Sequence, residues 1–274
     1  MKKLGFLPLL LLTIVACQSD EAPNVVDSAY QFQDGFEVNE GEFSNLFPDD
    51  ESRWTNIQLV HPAQAENEIG LTTDLVRDGT YALRIVANPS SDIVSKSGIE
   101  KGGFSAPVGS TVTIEVDVYL NSTSNIKNLL LLDLECCSCW DPSVPNNQCP
   151  GIRLMMSGDD DYLAIERGKI LGATLTQTNT RFPRQEWVHL IWQMKLSPEE
   201  DGENKLFIND REVISTTGMN LPNAAIFKEE AAQQNIDFTL QQPLQYERVQ
   251  VGATANSSEH PVELFIDNFS LRVE

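Results

Sequence analysis

Glu115, Asp117 and Tyr119 stand at alternate positions of one segment, and Trp187, His189, Gln193 and Lys195 alternate in a second. Residues two apart on an extended chain share a face, so each set makes one line of polar and aromatic groups. The carboxylates and the Gln193 amide can hydrogen-bond sugar hydroxyls, and the rings of Tyr119 and Trp187 can stack on the apolar face of a pyranose. His189 and Tyr119 are also residue types that take up and release protons. The same lines therefore have the chemistry to hold a glycan or, with a second proton-handling group, to cut one.

The elements that must position these residues are strands. In Thr111 to Leu120, Val112, Ile114, Val116, Val118 and Leu120 form an apolar row opposite the polar one, and Trp187 to Leu196 repeats the split. Period-two alternation predicts half-buried strands. Further strands are expected at Thr80–Ala87, Asn128–Glu135, Ile152–Ser157, Tyr162–Arg167, Leu206–Asn209, Arg248–Ala253 and Val262–Val273, with one short helix near 224–234. Turn dipeptides such as Asp78-Gly79 and Asp201-Gly202 separate them. Many strands with one buried row each specify an all-β, two-sheet antiparallel sandwich. Residues 30–274 are read as its single domain.

With 40 acidic against 19 basic residues and a net charge of -21, the chain is a poor partner for nucleic acid, which is bound by releasing counterions to Lys and Arg. One basic cluster, Arg167, Lys169, Arg181 and Arg184, reads as solvated strand ends. Four of the 5 cysteines, Cys136, Cys137, Cys139 and Cys149, fall within one segment. In an oxidising compartment they predict two disulfides, with three pairings open, and zinc held by four thiolates is the alternative. An adjacent Cys136–Cys137 bridge is strained, so the neighbours are expected to take different partners, one of them Cys149.

The N-terminus has a charged start at Lys2 and Lys3, an apolar stretch from Leu4 to Leu12, and Thr13-Ile14-Val15-Ala16-Cys17. The stretch is too short to span a bilayer. The arrangement resembles a bacterial lipoprotein signal. That resemblance implies removal of residues 1–16, acylation of Cys17, a flexible tether over 17–29, and anchoring in the membrane. Gln18-Ser19-Asp20-Glu21 is similar to the acidic signal of Bacteroidetes-type lipoproteins, which implies the outer face of the outer membrane.

Glu186-Trp187-Val188-His189-Leu190, Asp201-Gly202, Leu206-Phe207-Ile208-Asn209 and Leu264-Phe265-Ile266-Asp267-Asn268 resemble strand motifs of concanavalin A-like lectin/glucanase jelly rolls, above all the polysaccharide-lyase branch. The resemblance implies a glycan groove on one concave sheet, with Glu115, Asp117, Tyr119, Trp187, His189, Gln193 and Lys195 as carbohydrate-binding candidates. It also implies a calcium that Asp34, Glu37 and Asp267 could hold; no other cofactor is required. The E-x-D-x-x-E signature of glucanases lacks its final glutamate, where Leu120 stands, so a retaining glycosidase is short of a carboxyl group. The Gln-x-His and Tyr-x-Lys strings of alginate lyases are also missing, although His189, Tyr119, Arg84, Gln193 and Lys195 supply the residue types.

The expectation is a lipid-anchored envelope protein that binds an extracellular polysaccharide or oligosaccharide. The alternative is a polysaccharide lyase with His189 and Tyr119 as catalytic residues, and a second alternative is a non-catalytic scaffold or adhesion protein.

Overall fold

The computed structural model describes residues 29–90, 95–140, 150–168, 173–233, 235–237 and 239–274. Cys17, the leader, the tether up to residue 28 and Cys149 lie outside them. In chain order the strands are β1 (Tyr30–Asp34), β2 (Asn56–Val60), β3 (Glu68–Thr72), β4 (Ala82–Ala87), β5 (Ser95–Lys101), β6 (Ala106–Pro107), β7 (Thr111–Leu120), β8 (Leu129–Glu135) and β9 (Gly151–Ser157). They continue as β10 (Tyr162–Gly168), β11 (Ala173–Arg181), β12 (Trp187–Lys195), β13 (Glu203–Ile208), β14 (Arg211–Thr217), β15 (Gln245–Tyr246), β16 (Arg248–Asn256) and β17 (Val262–Val273). Helix α1 spans Ala224–Gln233, where the one helix was expected.

Two large antiparallel sheets make a β-sandwich. An eight-stranded sheet runs β14-β13-β12-β7-β17-β4-β3, with β1 also paired to β17, and a seven-stranded sheet runs β11-β10-β9-β8-β16-β5-β2. The apolar rows of β7 and β12 face inward, with Val112, Ile114, Val116, Val188, Leu190 and Trp192 buried. Opposite them the seven-stranded sheet contributes Ile99, Leu132, Leu134, Ile152, Leu154, Ile165, Val249 and Val251. Each fully buried aliphatic side chain of this kind stabilises the fold by roughly 1.5–3 kcal/mol, so alternation alone fixes which face of each strand is inner.

The observed β7 has the expected limits, and β12 ends one residue early, at Lys195. β1, β2, β3, β5, β11 and β14 were not anticipated. Edge strands such as β2 and β14 have no fully buried row, and β5, Ser-Lys-Ser-Gly-Ile-Glu-Lys, has one strongly apolar residue in its span.

Candidate functional site

The sandwich has two outer faces, and the anticipated residues all fall on that of the eight-stranded sheet. The register sets Trp187 opposite Tyr119, His189 opposite Asp117, Ile191 opposite Glu115 and Lys195 opposite Thr111. Phe265 on β17 flanks Tyr119 from the other side. Tyr119 thus stands edge-on between Trp187 and Phe265, with ring centroids 5.7 and 6.0 Å away. His189 Nδ1 lies 3.0 Å from Asp117 Oδ1, and Asp117 Oδ2 accepts a 2.9 Å hydrogen bond from Asn268 Nδ2. That asparagine reaches Asp117 because β17 shifts register between Asp267 and Ser270, and Asn268 adopts φ 48° there. A carboxylate on Nδ1 favours the tautomer that leaves Nε2 as an acceptor. Asp34, Glu115, Asp117, His189 and Asn268 line one pocket of about 380 Å³. Tyr119, Trp187, Gln193 and Lys195 share the face but lie outside that pocket.

Asp34, Glu37 and Asp267 do not form a metal-ligating cluster among the described residues. Asp34 accepts from Arg53 Nε at 2.8 Å and Nη2 at 2.6 Å, and also from the Phe36 N–H. Glu37 Oε1 accepts the N–H groups of Thr80 and Tyr81, and Asp267 Oδ2 those of Arg77 and Asp78. Each carboxylate is thus engaged in holding backbone or a guanidinium. Burial, with Asp117 nearby, keeps the Asp267 carboxyl above its ordinary range despite those N–H donors.

The outer face of the seven-stranded sheet is different in kind. Cross-strand register aligns Asn56 (β2), Glu100 (β5), Gln250 (β16), Asp133 (β8), Arg153 (β9) and Glu166 (β10) in one row across six strands. A second row, one step along, pairs Arg248 with Glu135 and Glu135 with Gly151. Glu100, Asp133, Glu135 and Gln250 are no more than 2% exposed. Buried carboxylates on this scale need partners. Arg248 Nε donates to Glu135 Oε2 at 2.8 Å and lies 3.3 Å from Glu100 Oε1. Gln250 Nε2 donates to the same Glu135 oxygen at 2.6 Å, and Asn56 and Gln58 donate to Glu100 at 2.9 and 2.7 Å. Arg153 Nε stands 3.3 Å from Asp133 Oδ2. Burial works against the Arg248 charge, but Glu135, Cys137 and Glu100 outweigh it and hold the guanidinium above its ordinary range.

Two details point this network outward. The side chains of Arg153 and Arg248 keep 15% and 30% of their surface, so both are partly open to solvent, although Arg153 Nε is buried, while the acids that grip them are not. Gln250 Oε1 is buried without a hydrogen-bond partner among the described residues. Such an acceptor is costly to leave unpaired, which suits a position that a ligand donor or a water fills. The sequence reading overlooked this face, although Asp133-Leu134-Glu135 and Arg248-Val249-Gln250 place polar residues two apart in expected strands.

The cysteine segment borders this face. Cys136 and Cys139 form a disulfide, so Cys136 does not bridge to its neighbour, and Cys137 Sγ lies 3.9 Å from Glu135 Oε2. Of the basic cluster, Arg181 and Arg184 pair with Asp160 and Asp161. Asp161 also accepts the N–H groups of Ile126 and Lys127, so that acidic turn is structural.

Two stacked antiparallel sheets, one carrying an outward network of guanidiniums and carboxamides, define a β-sandwich. A family model described as polysaccharide lyase matches residues 48–269, and the chain belongs to that family. Among solved structures, an endo-β-1,4-glucuronan lyase from the fungus Trichoderma reesei superposes with a TM-score of 0.57 at 11% identity, covering 80% of this chain and 90% of that one. The cellulose induced protein Cip1 gives 0.56 at 14%, covering 88% and 96%. A marine alginate lyase from Aplysia kurodai gives 0.53 at 13%, covering 88% and 97%. At these identities the likeness is one of fold. No curated protein sequence matches the chain.

Proposed function

We propose that the protein cleaves a uronate-containing polysaccharide by β-elimination on the outer face of the seven-stranded sheet. The observation that carries this is the pair of partly exposed arginines, Arg153 and Arg248, each held by a buried carboxylate. In β-elimination a base takes the proton at C5, the electron pair forms the C4=C5 double bond, the C4–O bond breaks, and the leaving oxygen is protonated. The step is slow until the uronate carboxylate is neutralised, which raises the acidity at C5. A guanidinium fixed by an acid behind it offers preorganised donors for that task. Tyr162 shares this face, but it lies four residues along β10 from Glu166, the register partner of Arg153, roughly 13 Å away at the strand rise, and so is out of reach of a uronate held there. The three histidines, His61, His189 and His260, lie outside the strands of this sheet.

The test is ultraviolet absorbance of the unsaturated uronate product on a panel of uronate polymers. Arg153→Ala is expected to lower kcat/KM by about 10²–10³, the usual cost of losing one charge-stabilising donor. A flat trace for the parent protein on every polymer overturns the reading.

A second reading rests on the His189–Asp117–Asn268 chain, which leaves His189 Nε2 facing the 380 Å³ pocket with Glu115. Here the eight-stranded face binds or cuts the glycan, as the sequence suggested. His189→Ala distinguishes the two, being silent in the first and disabling in the second. We propose in addition that Cys17 tethers the protein to the envelope surface; metabolic labelling with palmitate that survives Cys17→Ser overturns that placement.

A further inference from the structure

We infer that the substrate is a glycan in which uronates are separated by uncharged sugars, and that homopolymeric uronates are rejected. The inference rests on the lyase reading above and deepens it. Arg153 and Arg248, on inner strands of the seven-stranded face, sit against three carboxylates, Asp133, Glu135 and Glu100, and Arg181 at the β11 edge pairs with Asp160. Each cation therefore meets the substrate with its charge already balanced. What it offers a uronate is direction, through N–H groups held in place, and little net attraction.

For one carboxylate at the cleavage position, directed donors suffice. A homopolyuronate brings a further charge on every neighbouring ring, and each of these meets an unfavourable field. Glu166 continues the same row, and the whole chain carries a net charge of -21. The groups that can meet neighbouring rings on this face are largely neutral donors and acceptors. Asn56 and Gln58 flank Glu100 at the β2 edge. Such groups match the hydroxyls and amides of neutral or N-acetylated sugars. The repulsion falls on exposed charges, so it is screened by salt.

The experiment measures product absorbance with the whole protein on two kinds of polymer of similar length. One kind is homopolymeric, alginate and glucuronan; the other alternates, with unsulfated hyaluronan and deacylated gellan as probes. Turnover on at least one alternating polymer is expected to exceed that on the homopolymers by tenfold or more at low salt (~1.4 kcal/mol in the barrier), and the gap is expected to narrow as salt rises. Asn56→Lys, which adds a positive charge at the exposed end of the row, is expected to narrow it further without loss of folding. Equal or faster cleavage of the homopolymers at low salt overturns the inference and leaves the lyase reading standing. No product from any polymer overturns both.

Discussion

The two outer faces of the sandwich are built on opposite principles. On the eight-stranded sheet, Tyr119, Trp187 and His189 sit half-buried, each within an aromatic contact or one short hydrogen-bond chain. On the seven-stranded sheet, Glu100, Asp133 and Glu135 are withdrawn from water altogether and are held by Arg248, Arg153, Gln250, Asn56 and Gln58. The first also buries acids, Asp117 at 5% exposure and Asp267 at 0%, but holds these two with His189, Asn268 and backbone N–H groups and with no guanidinium. The second requires several groups from distant parts of the chain to arrive together, since a buried acid with no partner would destabilise the fold. Investment of that kind marks the face where positions matter, and it is the reason for assigning the chemistry to the seven-stranded sheet.

The sharpest way to break this contrast is to remove one anchor from each face. Glu135→Ala leaves Arg248 and Gln250 without their shared acceptor, a loss of about 3 kcal/mol for a buried pair, or a fall in Tm of about 6–12 °C for a domain of this size. Asp117→Ala deprives only His189 and Asn268, and is expected to cost about 1 kcal/mol and 2–4 °C. Thermal melts of the two variants side by side decide it, and equal losses would mean that the faces are not different in kind.

Next in size is an effect on activity without one on stability. A Cβ built on Gly168 would fall 2.2 Å from Arg153 Nε and 2.5 Å from its Cζ, with no backbone in the way. Gly168→Ala should therefore push the Arg153 guanidinium out of its place beside Asp133, lowering kcat/KM about tenfold while Tm moves by under about 2 °C. Gly151→Ala is the contrasting control, because its Cβ would meet the Leu134 carbonyl at 2.5 Å and so strain the sheet itself. Full activity in Gly168→Ala would show that the position of Arg153 is immaterial.

The same contrast explains what could be read from the sequence. β7 and β12 were legible to within a residue because water touches one of their faces, and alternation is the record of that. β8 is buried on both faces, so Leu129 to Leu132 form an apolar run with no alternation to show which face Asp133 and Glu135 join. Glu135 becomes a site residue only because β16 pairs with β8 and brings Arg248 to it across 113 residues of sequence. β5 escaped notice for a related reason: Gly98 lies against the Val251 carbonyl, where a Cβ would come within 2.7 Å, and Glu100 is held by polar neighbours, so close packing there leaves no hydrophobic pattern. Charge pairing between distant strands carries no local signal, whereas clean alternation does, so the sequence alone directs attention to the eight-stranded face.

The smallest effect tests the support of the eight-stranded face. Glu37 accepts the N–H groups of Thr80 and Tyr81 in the loop leading into β4. Partial desolvation raises its pKa slightly, but those backbone donors outweigh it and the carboxyl lies below its ordinary value of 4.5. A depressed acid stabilises the fold fully above the unfolded value, and that contribution is lost as pH falls through the lower folded one. Glu37→Gln keeps an acceptor oxygen and removes the titration. Its Tm should thus sit about 1 °C below the parent at neutral pH, since an exposed interaction of this sort contributes well under 1 kcal/mol, and the two curves should converge below the ordinary carboxyl range. Activity on any polymer should be the same in both proteins, because the loop touches the face that the lyase reading leaves unused. A loss of turnover in Glu37→Gln with the fold intact would move the chemistry back toward His189 and the pocket beside it.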